Sequence, residues 1–389
     1  MAGETKIRDP VQILEKLVGF PTVSSESNLS LVAYVEEFLG RFGVESFRDY
    51  NSDRTKANVY AQIGPDVPGG VILSAHTDVV PVKGQNWSGD PFRLSEREGR
   101  IYGRGTADMK GFLAVVLANV SDWVDAGLKR PVQLAFSYDE EVGCLGAPSM
   151  IGKLSKQFPR AKSVVVGEPT MMKMVNGHKS SANFNVHVRG HEVHSCQVHR
   201  GVSAVMNAAR LIGWLEDRTS ENRAGAAKAS AGFDPPYTTL HAGMVSGGTA
   251  CNITARDCWF STDIRCIPSE SSADWVSRFE RYAAGIQEQM QRVNPATGIR
   301  LSDLNVVPGL KPEHRGAAET LVRKLTGDND SNVVSYGTEA GQFQEQGYSA
   351  VICGPGSIDQ AHQPDEFVLR RQLEECDQFM RRLTTDLAA

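Results

Sequence analysis

The spacing of apolar residues along the first part of the chain predicts helices that alternate with short strands. Segments with apolar residues at helical spacing, the predicted helices, are 11–20, 29–43, 112–124 and 146–154. Short apolar runs rich in β-branched residues, the predicted strands, are 69–76, 131–138 and 162–167. This alternation is typical of an α/β domain with a mostly parallel central sheet and helices on both faces.

The pattern changes near Gly177 and changes back near Gly309. Between these points, the predicted elements in chain order are strand 181–190, helix 201–218, strands 237–248 and 256–268, helix 272–290 and strand 298–307. The β-α-β-β-α-β order predicts an inserted ferredoxin-like α+β domain. We therefore predict an α/β domain in two parts, 1–178 and 307–389, interrupted by a domain at 179–306. A small-residue loop is predicted at 219–232.

Composition narrows the classes of protein that fit. A length of 389 residues favours two domains, and a formal charge of -5 without a basic block predicts neither nucleic acid nor an anionic membrane as partner. No apolar run is long enough to span a bilayer, and the start of the chain has no signal-like apolar core. Seven scattered cysteines without a CxxC pair predict reduced thiols in the cytoplasm and exclude a thiolate zinc site.

Metal-binding side chains follow the ends of the predicted strands. Asp108 lies in a loop between two of these elements, ahead of the helix at 112–124. In open α/β sheets, ligands bind outside the carboxyl ends of the strands, so these side chains should share one edge. The residues at or beyond strand ends are His76, Asp78, Asp139, Glu140, Glu141, Glu168 and His362.

Imidazoles and carboxylates without thiolates suit divalent ions, Zn²⁺ foremost. The set is larger than one tetrahedral ion needs, and two ions about 3.5–4 Å apart, sharing one carboxylate, would use it fully. Asp108 is the natural bridging ligand, which leaves one neighbouring carboxylate free to act as general base. The alternative for Asp108 is a helix N-cap, where a short carboxylate accepts backbone hydrogen bonds.

Four segments also resemble a known family. "SAHTDVVP", "GRGTADMKG", "DEEVGCLGA" and "VGEPT" occur in that order and resemble the metal-binding segments of the M20 peptidase family, which includes dizinc aminoacylases, carboxypeptidases and amino-acid deacylases. The resemblance implies a zinc-peptidase-like catalytic domain and an inserted dimerisation and lid domain. "YGTEAGQF" and "GPGSIDQAHQPDEF" resemble the branch of the family that deacetylates N-acetyl-L-ornithine.

The resemblance also implies which residues bind which ion. One Zn²⁺ would be held by His76, Asp108 and Glu168, and the second by Asp108, Glu141 and His362. Each subunit would therefore carry two Zn²⁺ ions, which Co²⁺ is able to replace.

Two further roles near the ions are implied by the resemblance. Asp78 would orient the imidazole of His76 from behind, as carboxylates often do in metal sites. Glu140 matches the general base of the family. Adjacent Glu140 and Glu141 can direct one carboxylate at the metal and the other at its water.

In the inserted domain, "GHEVHSCQVHRG" resembles a segment whose histidine reaches across a dimer to stabilise an oxyanion. His194 matches that histidine, although His191 and His199 are close rivals on sequence alone. Cys196 and Val198 stand where the family pattern has Ser and Pro.

Five residues are predicted to contact substrate. Arg265 matches an arginine that clamps the α-carboxylate, a role suited to a bidentate guanidinium. Asn252 matches an asparagine beside the oxyanion. Glu339 is predicted to pair with a cationic substrate side chain, and Gly337 and Thr338 to line the same pocket.

The expected reaction is hydrolysis of N-acetyl-L-ornithine to L-ornithine and acetate by a homodimer that forms through the inserted domain and closes on its substrate. One alternative is a succinyl-diaminopimelate desuccinylase or a broader N-acyl-amino-acid hydrolase, in which Lys179 would hold the succinyl carboxylate. A non-catalytic metal-binding module is a second alternative. A serine hydrolase is disfavoured because "GPGSIDQ" lacks the G-x-S-x-G pattern.

Overall fold

The computed structural model describes residues 9–226 and 232–389 and divides the chain into two compact units. The first unit runs to Gly177 and also contains Pro312–Asn332 and Thr338–Ala389. The second comprises His178–Lys311 and Val333–Gly337. The predicted boundaries lay at 178/179 and 306/307, and the short return of 333–337 to the second unit was not predicted.

Helices and strands cover most of the described residues. The α-helices are α1 (Pro10–Val18), α2 (Leu29–Gly40), α3 (Lys110–Ala118), α4 (Val120–Asp125), α5 (Ala147–Gln157), α6 (Ala204–Ala224), α7 (Ser272–Val293), α8 (Ala317–Thr326), α9 (Ala340–Glu345) and α10 (Arg370–Ala388), and a 3₁₀ helix spans Ser195–Arg200. Across the described ranges, no helix combines the length and apolar character that crossing a bilayer requires.

The four strands of the second unit's sheet have nine or ten residues each, and the other strands have three to seven. In chain order, the strands are β1 (Ser46–Tyr50), β2 (Ala57–Ile63), β3 (Val71–His76), β4 (Ser95–Arg97), β5 (Arg100–Tyr102), β6 (Val132–Ser137), β7 (Ser163–Val166), β8 (Val175–His178), β9 (Ser180–Arg189), β10 (Thr239–Gly247), β11 (Asp257–Cys266), β12 (Gly298–Val307), β13 (Asn332–Val334), β14 (Ala350–Ile352) and β15 (Phe367–Leu369).

A mostly parallel sheet forms the core of the first unit. Its strand order is β1-β2-β6-β3-β7-β14-β8-β13, and the four strands β6, β3, β7 and β14 pair in parallel. Every residue of β3, β6 and β7 is buried, as continuous apolar runs in a sheet covered on both faces should be. The predicted α/β class is confirmed.

Helix α3 lies inside the first unit and precedes a break that the sequence pattern did not predict. All of its residues are buried, and the ammonium group of Lys110 donates to the carbonyl oxygens of Leu17 and Phe20 at the end of α1. The predicted helix at 112–124 is divided at Asn119. The Asn119 amide donates to the carbonyl of Val115 at 2.9 Å and thereby competes with the helical backbone.

The second unit is built on an antiparallel sheet with strand order β10-β11-β9-β12. Buried and more exposed residues alternate along β9 and β11, and α6 and α7 pack on the buried face. The ferredoxin-like arrangement is therefore confirmed. The loop predicted at 219–232 is partly wrong, because α6 continues to Ala224, helped by a hydrogen bond from the Thr219 hydroxyl to the Leu240 carbonyl. Residues 227–231 lie outside the described residues.

The buried His178 is expected to make the stability of the chain depend on pH. Its imidazole is fully buried, Nδ1 lies 2.8 Å from the carbonyl of Lys179, and Nε2 has no partner among the described residues. Burial lowers the pKa of His178 from 6.5 to about 4. The unfolded chain therefore takes up a proton below about pH 6.5 that the folded chain accepts only near pH 4, and the free energy of unfolding falls across that window.

We expect His178→Gln to remove this loss of stability in acid. The wild type should lose on the order of 2–3 kcal/mol more than the variant between about pH 7 and pH 4.5. Urea unfolding with EDTA present measures the difference without a contribution from metal release. His241→Gln, at an exposed histidine, should follow the wild type. The same pH dependence in His178→Gln and wild type would show that the buried imidazole is not the cause.

Candidate metal centre

The carboxyl ends of the parallel strands bring the predicted ligands to one edge of the sheet. His76 is the last residue of β3, and in the parallel register it lies opposite Ser137, the last residue of β6. Glu141 follows β6 closely, and Glu168 follows β7. Because parallel strands end together, their following side chains converge without any local contact along the chain.

Two groups of three ligand side chains share Asp108. One contains His76, Asp108 and Glu168, and the other contains Asp108, Glu141 and His362; within each group the ligand atoms lie within 4.8 Å of one another. Asp108 Oδ1 lies 3.0 Å from His76 Nε2, whereas Asp108 Oδ2 lies 3.2 Å from His362 Nε2. Each oxygen of the carboxylate therefore faces a different group, the geometry that a bridging ligand requires.

The alternative role of Asp108 as a helix cap is wrong. The N-cap residue of α3 is Met109, which has no side-chain capping hydrogen bond. The Asp108 carboxylate is turned to the two imidazoles instead.

The imidazole of His76 is held so that Nε2 can bind a cation. Nδ1 lies 2.9 Å from the backbone carbonyl of Asp78, and a carbonyl oxygen only accepts, so Nδ1 carries the proton. In the neutral imidazole Nε2 would then have its lone pair free for a cation bound on the side where Asp108 and Glu168 lie. The backbone carbonyl of Asp78 therefore orients the imidazole, a role that was predicted for its carboxylate. The carboxylate oxygen lies farther away, at 3.6 Å from Nδ1.

The carboxylate of Asp78 organises the next loop. It accepts the Ser24 hydroxyl at 2.7 Å and the backbone N–H groups of Glu140 at 3.1 Å and Glu141 at 3.3 Å. It therefore sets the direction in which the two glutamates leave the end of β6. Ser24 was not predicted to belong to the site, because nothing in the local pattern around it points there.

The charges of the ligand cluster are unbalanced without cations. Hydrogen bonds to Asp108 and Glu141 raise the pKa of His362 to about 10. Burial, followed by the charge of Asp108, raises the pKa of Glu141 to about 7 and that of Glu168 well above its ordinary value. The carboxylates thus need positive charge, which bound divalent ions would supply.

The donor set fits a pair of divalent ions. Glu141 Oε1 is buried without a hydrogen-bond partner among the described residues, so a ligand oxygen is left for a cation. Two imidazoles and three carboxylates are the ligands that Zn²⁺ accepts in such sites.

Glu140 lies beside the ligands but belongs to neither group. The thiol of Cys144 donates to its Oε1 at 3.3 Å. Burial raises the pKa of Glu140 well above its ordinary value, and the carboxylates of Glu141 and Glu339 act in the same direction. A carboxylate with a raised pKa is suited to accepting a proton and returning it.

The second unit brings His194 and Asn252 onto neighbouring segments. The backbone N–H of Ser195 donates to the carbonyl of Asn252 at 2.8 Å, and both predicted side chains are exposed. Nδ1 of His194 accepts the backbone N–H of Cys196 at 3.2 Å, which leaves Nε2 to carry the proton of a neutral imidazole. The rivals His191 and His199 lie on the same segment.

Arg265 and Gly337 also belong to the second unit. Arg265 lies on β11 and is half-buried, with its guanidinium paired with Asp263 at 2.9 Å. Thr338 and Glu339 belong to the first unit, where both are buried.

Glu339 and Lys179 have partners that do not support their predicted contacts with substrate. Glu339 is 1% exposed, and each of its carboxylate oxygens already accepts a hydrogen bond, one from the hydroxyl of Ser74 and one from that of Ser137. In the second unit, the buried ammonium group of Lys179 donates to two backbone carbonyls at 2.7 and 2.9 Å, which leaves little capacity for a succinyl carboxylate.

The fold and the ligand cluster fit one class of protein, the metal-dependent amidohydrolases, and the family match supports this class. Residues 72–386 match Peptidase family M20/M25/M40. Since this range is most of the chain, the protein belongs to the M20 peptidase family.

Curated relatives match along nearly the whole chain. The acetylornithine deacetylase of Pasteurella multocida is 32% identical over 386 residues, which are 97% of this chain and 98% of that protein. The acetylornithine deacetylase of Myxococcus xanthus is 32% identical over 374 residues, 95% of each chain.

Solved structures of the same family share the fold. The metallo-carboxypeptidase Sso-CP2 of Sulfolobus solfataricus is 17% identical with a TM-score of 0.75, covering 98% of this chain and 99% of its own. A Bacillus subtilis protein described as a dinuclear metal binding peptidase of the M20 family is 15% identical with a TM-score of 0.62, covering 97% of both chains.

Proposed function

We propose that this protein is a dizinc hydrolase that removes the acetyl group from N²-acetyl-L-ornithine and releases L-ornithine and acetate, a reaction of arginine biosynthesis. The observation that carries the proposal is the pair of ligand groups that share Asp108, with Glu140 beside them and outside both. The relatives named acetylornithine deacetylase, which match over nearly the full length, support the choice of substrate.

The residues around the candidate metal centre would have two roles, metal binding and proton transfer. His76, Asp108, Glu168, Glu141 and His362 would hold the two ions. When bound, the ions would lower the pKa of water from 15.7 to roughly 7 and polarise the acyl carbonyl. Glu140 would take a proton from the attacking water and return it to the departing α-amine. Its raised pKa supports both halves of this transfer.

The second unit would complete the site. The protonated Nε2 of His194 is suited to stabilise the oxyanion, a contribution that is often worth about 3–4 kcal/mol per donor. Asn252 would assist at the same position, and Arg265 would release Asp263 to clamp the α-carboxylate. Gly337 and Thr338 remain predictions for the substrate side-chain pocket.

We further propose that the protein acts as a homodimer in which His194 of one subunit serves the metal centre of the other. Strand β10 is at the edge of the second sheet, and its Met244 and Val245 are 72% and 63% exposed. Met206 on α6 is 67% exposed. Exposed apolar residues at a sheet edge favour pairing with another chain. The β10 edge of a second copy of this protein would provide such a partner.

The test is a comparison of substrates with metal control. We expect kcat/KM for N-acetyl-L-ornithine to exceed that for N-succinyl-L,L-diaminopimelate by at least about tenfold, which is about 1.4 kcal/mol in the transition state. The preference for the acetyl substrate is supported by the partners of Lys179. Its ammonium group is bound to backbone carbonyls, which leaves little capacity for a succinyl carboxylate. Activity should disappear with a chelator and return with Zn²⁺ or Co²⁺.

Faster turnover of the succinyl substrate would contradict the acetylornithine assignment while leaving the metal centre intact. Activity that is unaffected by thorough metal removal would contradict the dizinc mechanism itself.

A further inference from the structure

Glu366 is a fully buried carboxylate that accepts hydrogen bonds from the loop carrying Asp108. Its Oε1 accepts the backbone N–H groups of Ala107 at 2.9 Å and Asp108 at 3.0 Å. Its Oε2 accepts the backbone N–H of Gly105 at 3.1 Å and the guanidinium of Arg104 at 2.7 Å. All four partners are donors, so the side chain works here only as an acceptor.

Among the described residues, Glu366 is the acceptor for all three of these backbone N–H groups. The loop runs between β5 and α3 outside any strand, and its glycines Gly103 and Gly105 have positive φ angles of 155° and 86°. The backbone carbonyl of Glu366 also accepts the N–H of Gly103 at 3.0 Å. Since buried N–H groups without acceptors are costly, Glu366 determines the shape of the loop that ends at Asp108.

The same residue is connected to the His362 segment. Arg104, which is 1% exposed, bridges Glu366 to the side chain of Gln85, and the Gln85 amide donates to the carbonyl of His362 at 2.8 Å. Arg104 also lies 3.4 Å from the carbonyl of Gln363. A continuous chain of hydrogen bonds therefore joins the loop of one ligand to the segment of another.

We infer that Glu366 is a positioning residue for the metal centre, which fixes Asp108 relative to His362. The inference rests on the proposed metal-binding function. His76 ends a strand and is set by the pairing of the sheet, whereas His362 lies in a loop, with half of its side chain exposed. The metal affinity of the group with His362 should therefore depend on Glu366 more than the metal affinity of the group with His76 does.

The substitution Glu366→Gln tests the positioning role of Glu366 with little change in side-chain volume. Either orientation of the glutamine amide places an NH₂ group opposite backbone or guanidinium donors. We expect isothermal titration of the metal-free protein with Zn²⁺ to show two binding steps, the weaker of which we assign to the group with His362. In Glu366→Gln the affinity of the weaker step should fall by about 10–100-fold, as loss of supporting hydrogen bonds typically causes. The affinity of the stronger step should change less. The visible absorption of bound Co²⁺ should change with the weaker step.

Glu319→Gln is the matched control. Glu319 is also a buried carboxylate, paired with Arg323 at 2.9 Å and hydrogen-bonded to Asn176, but it belongs to neither ligand group. This variant should lower thermal stability and leave both binding steps unchanged. An effect of Glu366→Gln on unfolding temperature alone, with wild-type metal affinities, would overturn the inference.

A second variant keeps the test decisive if Glu366→Gln does not fold. Gln85→Ala removes the contact with the His362 carbonyl at a partly exposed position and should weaken the same step by about three- to tenfold. Unchanged affinities in Gln85→Ala would then overturn the inference. If the wild-type protein does not bind two ions, the proposed function fails; if it binds two and the variants match it, only the role of Glu366 fails.

Discussion

Replacing Glu140 with glutamine is expected to lower kcat for N-acetyl-L-ornithine by about 10²–10⁴-fold while both metal ions stay bound. Glu140 belongs to neither ligand group, so its loss should not empty the site. The amide has nearly the same shape as the carboxylate but cannot accept the proton of water. Steady-state kinetics together with metal analysis of the purified variant measure both parts of the expectation.

Asp139→Asn is the control for this variant. The Asp139 carboxylate forms an ion pair with Lys56 at 2.5 Å and belongs to neither ligand group. Asp139 has a positive φ of 56°, a conformation that asparagine tolerates well. Activity close to wild type is expected. Full turnover in Glu140→Gln would contradict the general-base role, and loss of metal would instead place Glu140 among the ligands.

Replacing Asp108 with asparagine is expected to impair both metal sites together. Each carboxylate oxygen faces one ligand group, and asparagine keeps only one oxygen and no charge. Removing a supporting group behind a ligand already costs 10–100-fold in affinity, so loss of a shared ligand should cost at least about 10²-fold in each step. Titration of the metal-free variant with Zn²⁺ measures both steps.

Asp66→Asn, at an exposed position remote in sequence from the ligands, should bind metal as the wild type does. If Asp108→Asn loses only one of the two ions, Asp108 belongs to a single site and the bridging arrangement is wrong. Circular dichroism of the metal-free proteins separates loss of ligation from loss of fold.

Several features of the metal centre could be predicted from sequence because they follow from local pattern. His76 ends an apolar run, and the sheet rule then places it with side chains from other strand ends. The structure brings His362 to the same edge although it lies well beyond the end of β14, and here the resemblance to the M20 family was the stronger guide.

Other features could not be predicted because burial depends on contacts between distant segments. "YGTEAGQF" gives no sign that Glu339 accepts hydroxyl hydrogen bonds from Ser74 and Ser137, which lie 265 and 202 residues away. The division of the predicted helix at Asn119 likewise involves Asp377, which is 258 residues away.

By itself, the sequence determined the class of the fold, the carboxyl edge as the candidate place for chemistry and a set of candidate metal ligands. Strand and helix periodicity and residue chemistry are local properties. Only the tertiary structure decided which carboxylates remain available. It turned Asp78 toward the backbone of Glu140 and used Glu366 to hold the loop of Asp108. A buried acceptor must satisfy whichever donors packing brings to it, and that choice is made between segments far apart in the chain.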